Sequence, residues 1–537
     1  MQKQKSIKVN FFMNALLTMS SVVFPLITSS HVARVLGPNG TGIVDFVYPM
    51  VMYFSMIAQL GIPTYGIRIC AKVRDDKVEL SRVVQELLII NMITCALAYI
   101  CFFAAIALVP QMQEQKTLFY ILGSLILLNT IGVEWLYKGL EEYSYITIRS
   151  LIFKVIVLIC IVTMIQKESD YVLYGALFIM AQVGSNIVNF LHLHKIIIIK
   201  PVGGYHFKRH LKPIMSFFAM SIATTIYTSV DTTMIRFMKG YAENSFYSQS
   251  VKIKTALVNV VTALGAVLLP RASYYLEKGL KDEFLKISRK ALHFIFVAAI
   301  PLSLYFMLAA KPSILFLFGD QYTRSITAMQ LIMPTVFAIG LSNILGIQML
   351  IPMGRENVVV VSEIVGAVVD VIINALLIPK YGASGAAIGT VTAEFAVLAV
   401  QTVALKTTVL PLVRQIPVWK HVLAAVVSSI PCIAIVGIGW GNFVTLTVSG
   451  SSEEPLTSRS IISHILSTSF PVLLIAGIHV NISRADNIRF TTTNVSVMIC
   501  KRLFFTYFSS YILFAITAIT IVYSYFNSSV LGSSLSC

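Results

Sequence analysis

The chain has 537 residues, 57% of them hydrophobic and 12% charged, with 41 Lys and Arg against 24 Asp and Glu for a formal net charge of +17. A mean hydropathy of +0.81 lies well above that of soluble domains and predicts an all-α polytopic membrane protein. The basic excess excludes a nucleic-acid role, because it is dispersed through short loops between apolar runs and forms no basic domain outside the membrane.

The first residues, MQKQKSIKVN, lead into an apolar run longer than the core of a signal peptide, which predicts an uncleaved first span. Runs of bilayer length follow at 11–30, 42–62, 83–109, 118–135, 146–165 and 171–193. A polar, basic connector over 194–212 carries Lys195, Lys200, Lys208, Arg209 and Lys212. Six more runs come at 214–238, 256–270, 292–318, 326–352, 358–378 and 385–404, and three weaker ones at 422–444, 461–480 and 503–525. The expected plan is a first six-helix lobe (1–193), the cytoplasmic connector, a second six-helix lobe (213–405), and two or three additional spans with a tail (406–537). No loop is long enough for a folded soluble domain.

Lys and Arg concentrate in alternate loops, which places the amino terminus in the cytoplasm. One segment breaks the rule. Arg236, Lys239, Lys252 and Lys254 cluster on the outer side, where a site for an anionic ligand accounts for them; snorkelling at span ends is the simpler alternative.

Helical spacing groups the polar residues inside the runs. Asn14, Thr18 and Ser21 share a face of the first, and Pro25 is expected to bend it; Gln182, Ser185 and Asn189 line the sixth. The seventh carries Ser221, Thr224, Thr228 and Asp231, and the eleventh Glu363, Gly366, Asp370 and Asn374. Hydroxyls alone are commonly helix–helix glue. Carboxylates are different: an ionised group at mid-bilayer costs about 2.5–3.5 kcal/mol even on the lenient insertion scale, so it faces water or a partner. Asp231, Glu363 and Asp370, with Glu394 in the twelfth run, therefore predict a hydrated cavity and are candidates for ion coupling. Lys154 is a candidate lining residue or a partner to one of these acids. Glu134 and Lys138 stand at i, i+4 in the favourable order for a helical ion pair, with gating as the sharper reading. The seven Cys, among them Cys70, Cys95, Cys101, Cys160 and Cys432, make no CxxC and no Cys/His cluster, so no disulfide framework, metal site or cofactor is expected. The segments from Arg34 to Gly37 and from Arg236 to Gly240 each follow the first run of a half, a faint internal repeat of the kind found in alternating-access carriers.

PLITSSHVARVLGPNGTGIVDF (25–46), GVEWLYKGLEEYSYITIRSLIFKVI (132–156), MLIPMGREN (349–357) and LLIPKYGASGAAIGTVTAEF (376–395) resemble the bacterial polysaccharide-transporter branch of the multidrug, oligosaccharidyl-lipid and polysaccharide exporter superfamily. Its best-known members are the Wzx-like flippases of O-antigen and capsular repeat units. The resemblance covers about residues 5–440 and implies a V-shaped, MATE-like pair of six-helix bundles in the bacterial cytoplasmic (inner) membrane. It implies movement of undecaprenyl-diphosphate-linked oligosaccharide between leaflets for surface polysaccharide synthesis, with membrane lipid, a polysaccharide polymerase and a chain-length regulator as expected partners; the buried Asp231 and Asp370 make coupling to H⁺ or Na⁺ a hypothesis, and nothing in the sequence chooses between H⁺, Na⁺ and no coupling. By motif it carries over Arg34 and, less closely, Asp231, Arg236, Lys252 and Lys254 as cavity residues. Residues 441–537 depart from the family pattern. The rivals are a cation-coupled multidrug exporter, for which the basic outer segment is the wrong sign, and a lipid II flippase, which no residue excludes. A membrane glycosyltransferase lacks an extramembrane loop to hold its catalytic residues, and neither G-x-S-x-G, HExxH nor a P-loop is present, so an enzyme is not expected.

Overall fold

The computed structural model describes residues 7–423, 425 and 426. The runs expected at 461–480 and 503–525, and nearly all of 422–444, lie outside the described residues. Among the described residues every long element is a helix, as backbone polar groups in hydrocarbon require.

Helix α1 (Ile7–Gln59) joins the first two expected runs into one rod with a single break at Gly37 (φ 63, ψ −178). Glycine alone takes that φ without strain, and Pro38 follows where its missing N–H is an orphan anyway. Pro25 lies inside the helical stretch before the break. A left-handed Leu60–Gly61 turn leads to the short amphipathic α2 (Ile62–Val73). Asp76 caps α3 (Lys77–Leu108), its Oδ1 accepting from Val78 N at 2.9 Å and Glu79 N at 3.1 Å. The one-turn α4 (Pro110–Gln113) leads to α5 (Lys116–Ile131), and a left-handed Val133 separates α5 from α6 (Glu134–Gly139). Helix α7 (Tyr143–Met164) is followed by α8 (Tyr171–Ile179), a π-helical stretch (Met180–Gly184) and α9 (Asn186–Ile196).

Helix α10 (Lys208–Lys239) ends at Gly240 (φ 99), and α11 (Tyr241–Glu277) begins directly after it. Both members of the faint repeat thus end a helix on a positive-φ glycine, Gly37 and Gly240. The chain continues through α12 (Lys281–Leu308), α13 (Ala310–Phe318), α14 (Ser325–Ile332), and α15 (Pro334–Asn343), which passes into a π-helical Ile344–Leu350. It then forms α16 (Glu356–Tyr381), α17 (Ala383–Ala404) and α18 (Lys406–Arg414). Among the described residues, 9 helices are long and apolar enough to cross a membrane.

Packing divides the chain into two compact units. The first comprises Met1–Ala256, Phe318–Ile332 and Arg355–Gln401. It therefore takes α10, α14, α16 and α17 together with the amino-terminal helices. Its interior holds Leu36, Phe46, Phe102, Phe119 and Leu122 in one cluster and Ile62, Val84, Leu87, Trp135 and Tyr137 in another. Helices surrounded by lipid gain little from burying leucine, so close approach at small residues does the work. A side chain at Gly66 would run into the Trp135 ring, which is how α2 seats on α6. The opposite side of α3 exposes Ile93, Leu97, Ile100 and Phe103, the face hydrocarbon would cover. The second unit, from Leu257–Leu317, Met333–Gly354 and the described chain after Gln401, packs α12 on α15. There Ser303 donates to the Met333 carbonyl at 2.7 Å, and the His293 and His421 imidazoles meet at 2.9 Å.

Candidate functional site

Within the first unit, four helices converge on a buried polar cluster. On α16 the buried positions Ser362, Gly366, Asp370, Asn374 and Ile378 recur every fourth residue, a stripe that sets two polar heads one turn apart. On α17 Thr390 and Glu394 are likewise buried one turn apart. Gly389 lets α16 and α17 close up: a Cβ there would overlap the Asn374 side chain and sit 3.3 Å from Asp370 Oδ1. Helix α10 supplies Asp231, and α11 supplies Tyr247.

The Asn374 amide joins the two carboxylates. Its Nδ2 donates to Asp231 Oδ1 at 2.7 Å and to Asp370 Oδ2 at 3.1 Å. Both hydrogens of that amide are then committed. Asp231 Oδ2 accepts from the Tyr247 hydroxyl and from Thr390 Oγ1 at 3.0 Å, and the two hydroxyls lie 2.7 Å apart. Asp231 is thereby fully served. Asp370 is not: its Oδ1 is buried without a hydrogen-bond partner. Glu394 and Lys254 lie within electrostatic range of it. Two carboxylates bridged by one neutral amide repel when both are charged, so the pair is suited to taking up a proton or one small monovalent cation. Among the described residues no group of three or more His, Cys, Asp and Glu stands in metal-ligating geometry.

The basic candidates are held separately. Lys252 Nζ meets both oxygens of Asp45 at 3.2 and 3.3 Å, beside a cavity of about 150 Å³ lined by Ser29, Tyr48, Tyr174 and Phe178. Arg236 donates to Glu114 Oε2 at 2.6 Å and lies 3.7 Å over the Tyr241 ring. Arg34 is half-buried beside Gly319, and its carbonyl accepts from Gln321 at 3.4 Å. Lys154, 7% exposed, donates to Ser20 Oγ at 2.9 Å. Next to Ser20 the polar face expected on the first run is open: Asn14, Thr18 and Ser21 are exposed, and the two hydroxyls bond back to carbonyls of their own helix. Glu134 and Lys138 pair at 2.8 Å within α6. Glu363 is half-buried and one residue off the buried α16 stripe, where Ser362 instead bonds Gln401 at 3.0 Å. The side chains of Thr224 and Thr228 lie outside the described residues.

Sequence reasoning missed Tyr247, Thr390 and Asp45, because each becomes significant only through a partner more than a hundred residues away or on another helix. It also took 194–212 as a simple connector. In the structure that segment is strapped to α3. Gln85 bonds the carbonyls of Ile198 and Lys200 at 2.7 and 3.0 Å, and Arg82 bonds Gly203 O at 2.9 Å. The hub is Glu86, fully buried, which accepts from His206 N, from Arg209 Nη2 at 2.6 Å and from His210 Nε2 at 2.7 Å. A glutamate one turn inside an apolar run was the available signal.

The chain matches a family profile described as polysaccharide biosynthesis protein over residues 7–276. It is 22% identical over 348 residues to a candidate O-antigen transporter of Escherichia coli (strain K12), covering 64% of this chain and 84% of that relative. A candidate O-antigen transporter of Shigella dysenteriae is 25% identical over 398 residues, 72% of this chain and 97% of the relative. Among solved structures, the lipid II flippase MurJ in its inward closed conformation superposes with a TM-score of 0.64 at 16% identity, covering 89% of this chain and 100% of that one. An inward-facing multidrug resistance MATE family transporter gives a TM-score of 0.56 at 13% identity, covering 74% of this chain and 99% of that one. These likenesses show an all-α polytopic membrane fold with MATE- and MurJ-like topology.

Proposed function

The chain belongs to the polysaccharide biosynthesis protein family, and from that premise we propose that it is a flippase for undecaprenyl-diphosphate-linked oligosaccharide repeat units in the bacterial cytoplasmic membrane. The observation that carries the reading is the open polar face of α1, Asn14, Thr18 and Ser21, on a helix whose Ser20 also receives the buried Lys154. An open stripe of Asn, Thr and Ser on a spanning helix is a surface suited to water and to sugar hydroxyls. A glycan headgroup cannot cross hydrocarbon, since its hydroxyls and diphosphate would lose their hydrogen bonds. A hydrated, partly cationic surface shelters it while the lipid tail stays in the bilayer.

In this mechanism Lys154 and Arg34 attract the diphosphate or acidic sugars, and Lys254 contributes charge near the carboxylates. Arg236 and Lys252 act through the ion pairs that hold their helices together. Asp231 and Asp370, bridged by Asn374, are the coupling element: occupancy of the pair by H⁺ or Na⁺ changes how α10, α16 and α17 pack, and thereby which side of the membrane the polar surface faces. Glu394 tunes that pair, and Glu363 lies too far off the stripe to join it. The Glu134–Lys138 pair stiffens the short α6. The amino terminus lies in the cytoplasm, and access alternates as α10, α16 and α17 change their packing.

The test is a deletion strain complemented by wild type, Lys154→Gln or Asp231→Asn, with lipid-linked repeat units and surface glycan quantified. Accumulated repeat units on deletion, rescue by wild type and failure of both variants at normal membrane levels are expected. Unchanged surface glycan in the deletion strain, with no second flippase present, sinks the reading.

A further inference from the structure

Arg149 stands on the second turn of α7 and is 7% exposed. Its Nη1 donates to the Ser185 carbonyl at 2.8 Å, and its guanidinium lies 5.8 Å from the Tyr145 ring. The Nε is buried without a hydrogen-bond partner. Among the described residues no carboxylate lies within ion-pair distance of it, and Glu134, an acid in electrostatic range, is already paired with Lys138 at 2.8 Å. A guanidinium carries five N–H donors, and a buried one with a single acceptor is poorly served.

A groove of about 480 Å³ opens over this cation. Ile148, Ile152, Phe153 and Val188 line it together with Ser144 and Tyr145. Ile148 and Ile152 are each 52% exposed, so the groove opens outward from the bundle, where hydrocarbon lies. Tyr145 is fixed by stacking on His192 and Tyr137, with ring centroids 4.7 and 5.2 Å away. The chemistry required of an occupant is an anion with planar-fork acceptors joined to an apolar chain. A phosphate satisfies the guanidinium in a bidentate manner, and an acyl chain covers the isoleucines.

We propose that this groove between α7 and α9 binds an anionic membrane lipid, with its phosphate on Arg149 and its chain along Ile148 and Ile152. The site is separate from the transport reading and holds whatever the cargo is. A lipid without a phosphate leaves the cation unmet, and a free anion leaves the apolar walls bare.

Native mass spectrometry of the full-length protein, released from detergent micelles doped equally with phosphatidylglycerol and diacylglycerol, reads the site directly. Wild type retains phosphatidylglycerol about tenfold over diacylglycerol, the scale of one charge-assisted contact. Arg149→Gln abolishes that preference, and so does Ile152→Trp, which fills the groove from an exposed position. If Arg149→Gln does not yield a monodisperse protein, Ile152→Trp decides alone. Equal retention of both lipids by wild type, or an unaltered preference in Ile152→Trp, overturns the proposal. Displacement of the bound lipid by millimolar inorganic phosphate also overturns it, assigning Arg149 to free anions instead.

Discussion

Replacing Asn374 by Leu tests whether one amide holds the two buried carboxylates together. The side chain is fully buried, so no water takes the place of its lost hydrogens. Its Nδ2 donates to Asp231 at 2.7 Å and Asp370 at 3.1 Å. Hydrogen bonds to charged groups are worth about 1.5–3 kcal/mol each, so in the state with both carboxylates ionised the loss is about 3–6 kcal/mol before the repulsion between the two buried charges is added. The hydroxyls of Tyr247 and Thr390 still serve Asp231, which leaves Asp370 as the destabilised partner. A second substitution, Asp370→Asn, then removes the repulsion. The double variant should regain about 1–3 kcal/mol over Asn374→Leu alone, although Asp370→Asn in the wild-type background gives no such gain. Reversible denaturation in detergent, followed by tryptophan fluorescence, measures all four corners of the cycle. A single variant within about 0.5 kcal/mol of wild type, or a double variant no better than the single, refutes the bridging role.

Tyr247→Phe removes one of two hydroxyl donors from Asp231 Oδ2 and should cost about 1 kcal/mol while lowering surface glycan in the complementation assay; wild-type export at wild-type abundance would count against the cluster as a coupling element. Glu86→Gln weakens the hub of the strapped connector by about 3–5 kcal/mol and should open Lys200 and Lys208 to trypsin, whereas an unchanged digestion pattern would show the strap holding without the charge. Gly37→Ala forces an L residue into a positive-φ extended conformation and brings its Cβ to 3.0 Å from Gln321 Oε1, so a loss of about 1–3 kcal/mol is expected in the same denaturation measurement.

Composition and run length determined the class and most of the helices, because in a bilayer every backbone group must be satisfied within its own segment. Helical spacing also determined that Asp370 and Asn374 share a face and that Asn14, Thr18 and Ser21 share another, since both are properties of one helix. The pairing of Glu134 with Lys138 was legible for the same reason. Partnerships between helices were not. That Asp231 meets Asn374 and Thr390, that Glu363 yields its place on the stripe to Ser362, and that Arg236 and Lys252 are bound to Glu114 and Asp45 depend on how helices distant in sequence rotate and approach. Small residues such as Gly389 set that approach, and a glycine reads the same in sequence whether or not an amide packs on it. Sequence therefore placed the polar groups on their helices, and tertiary packing alone decided which of them meet.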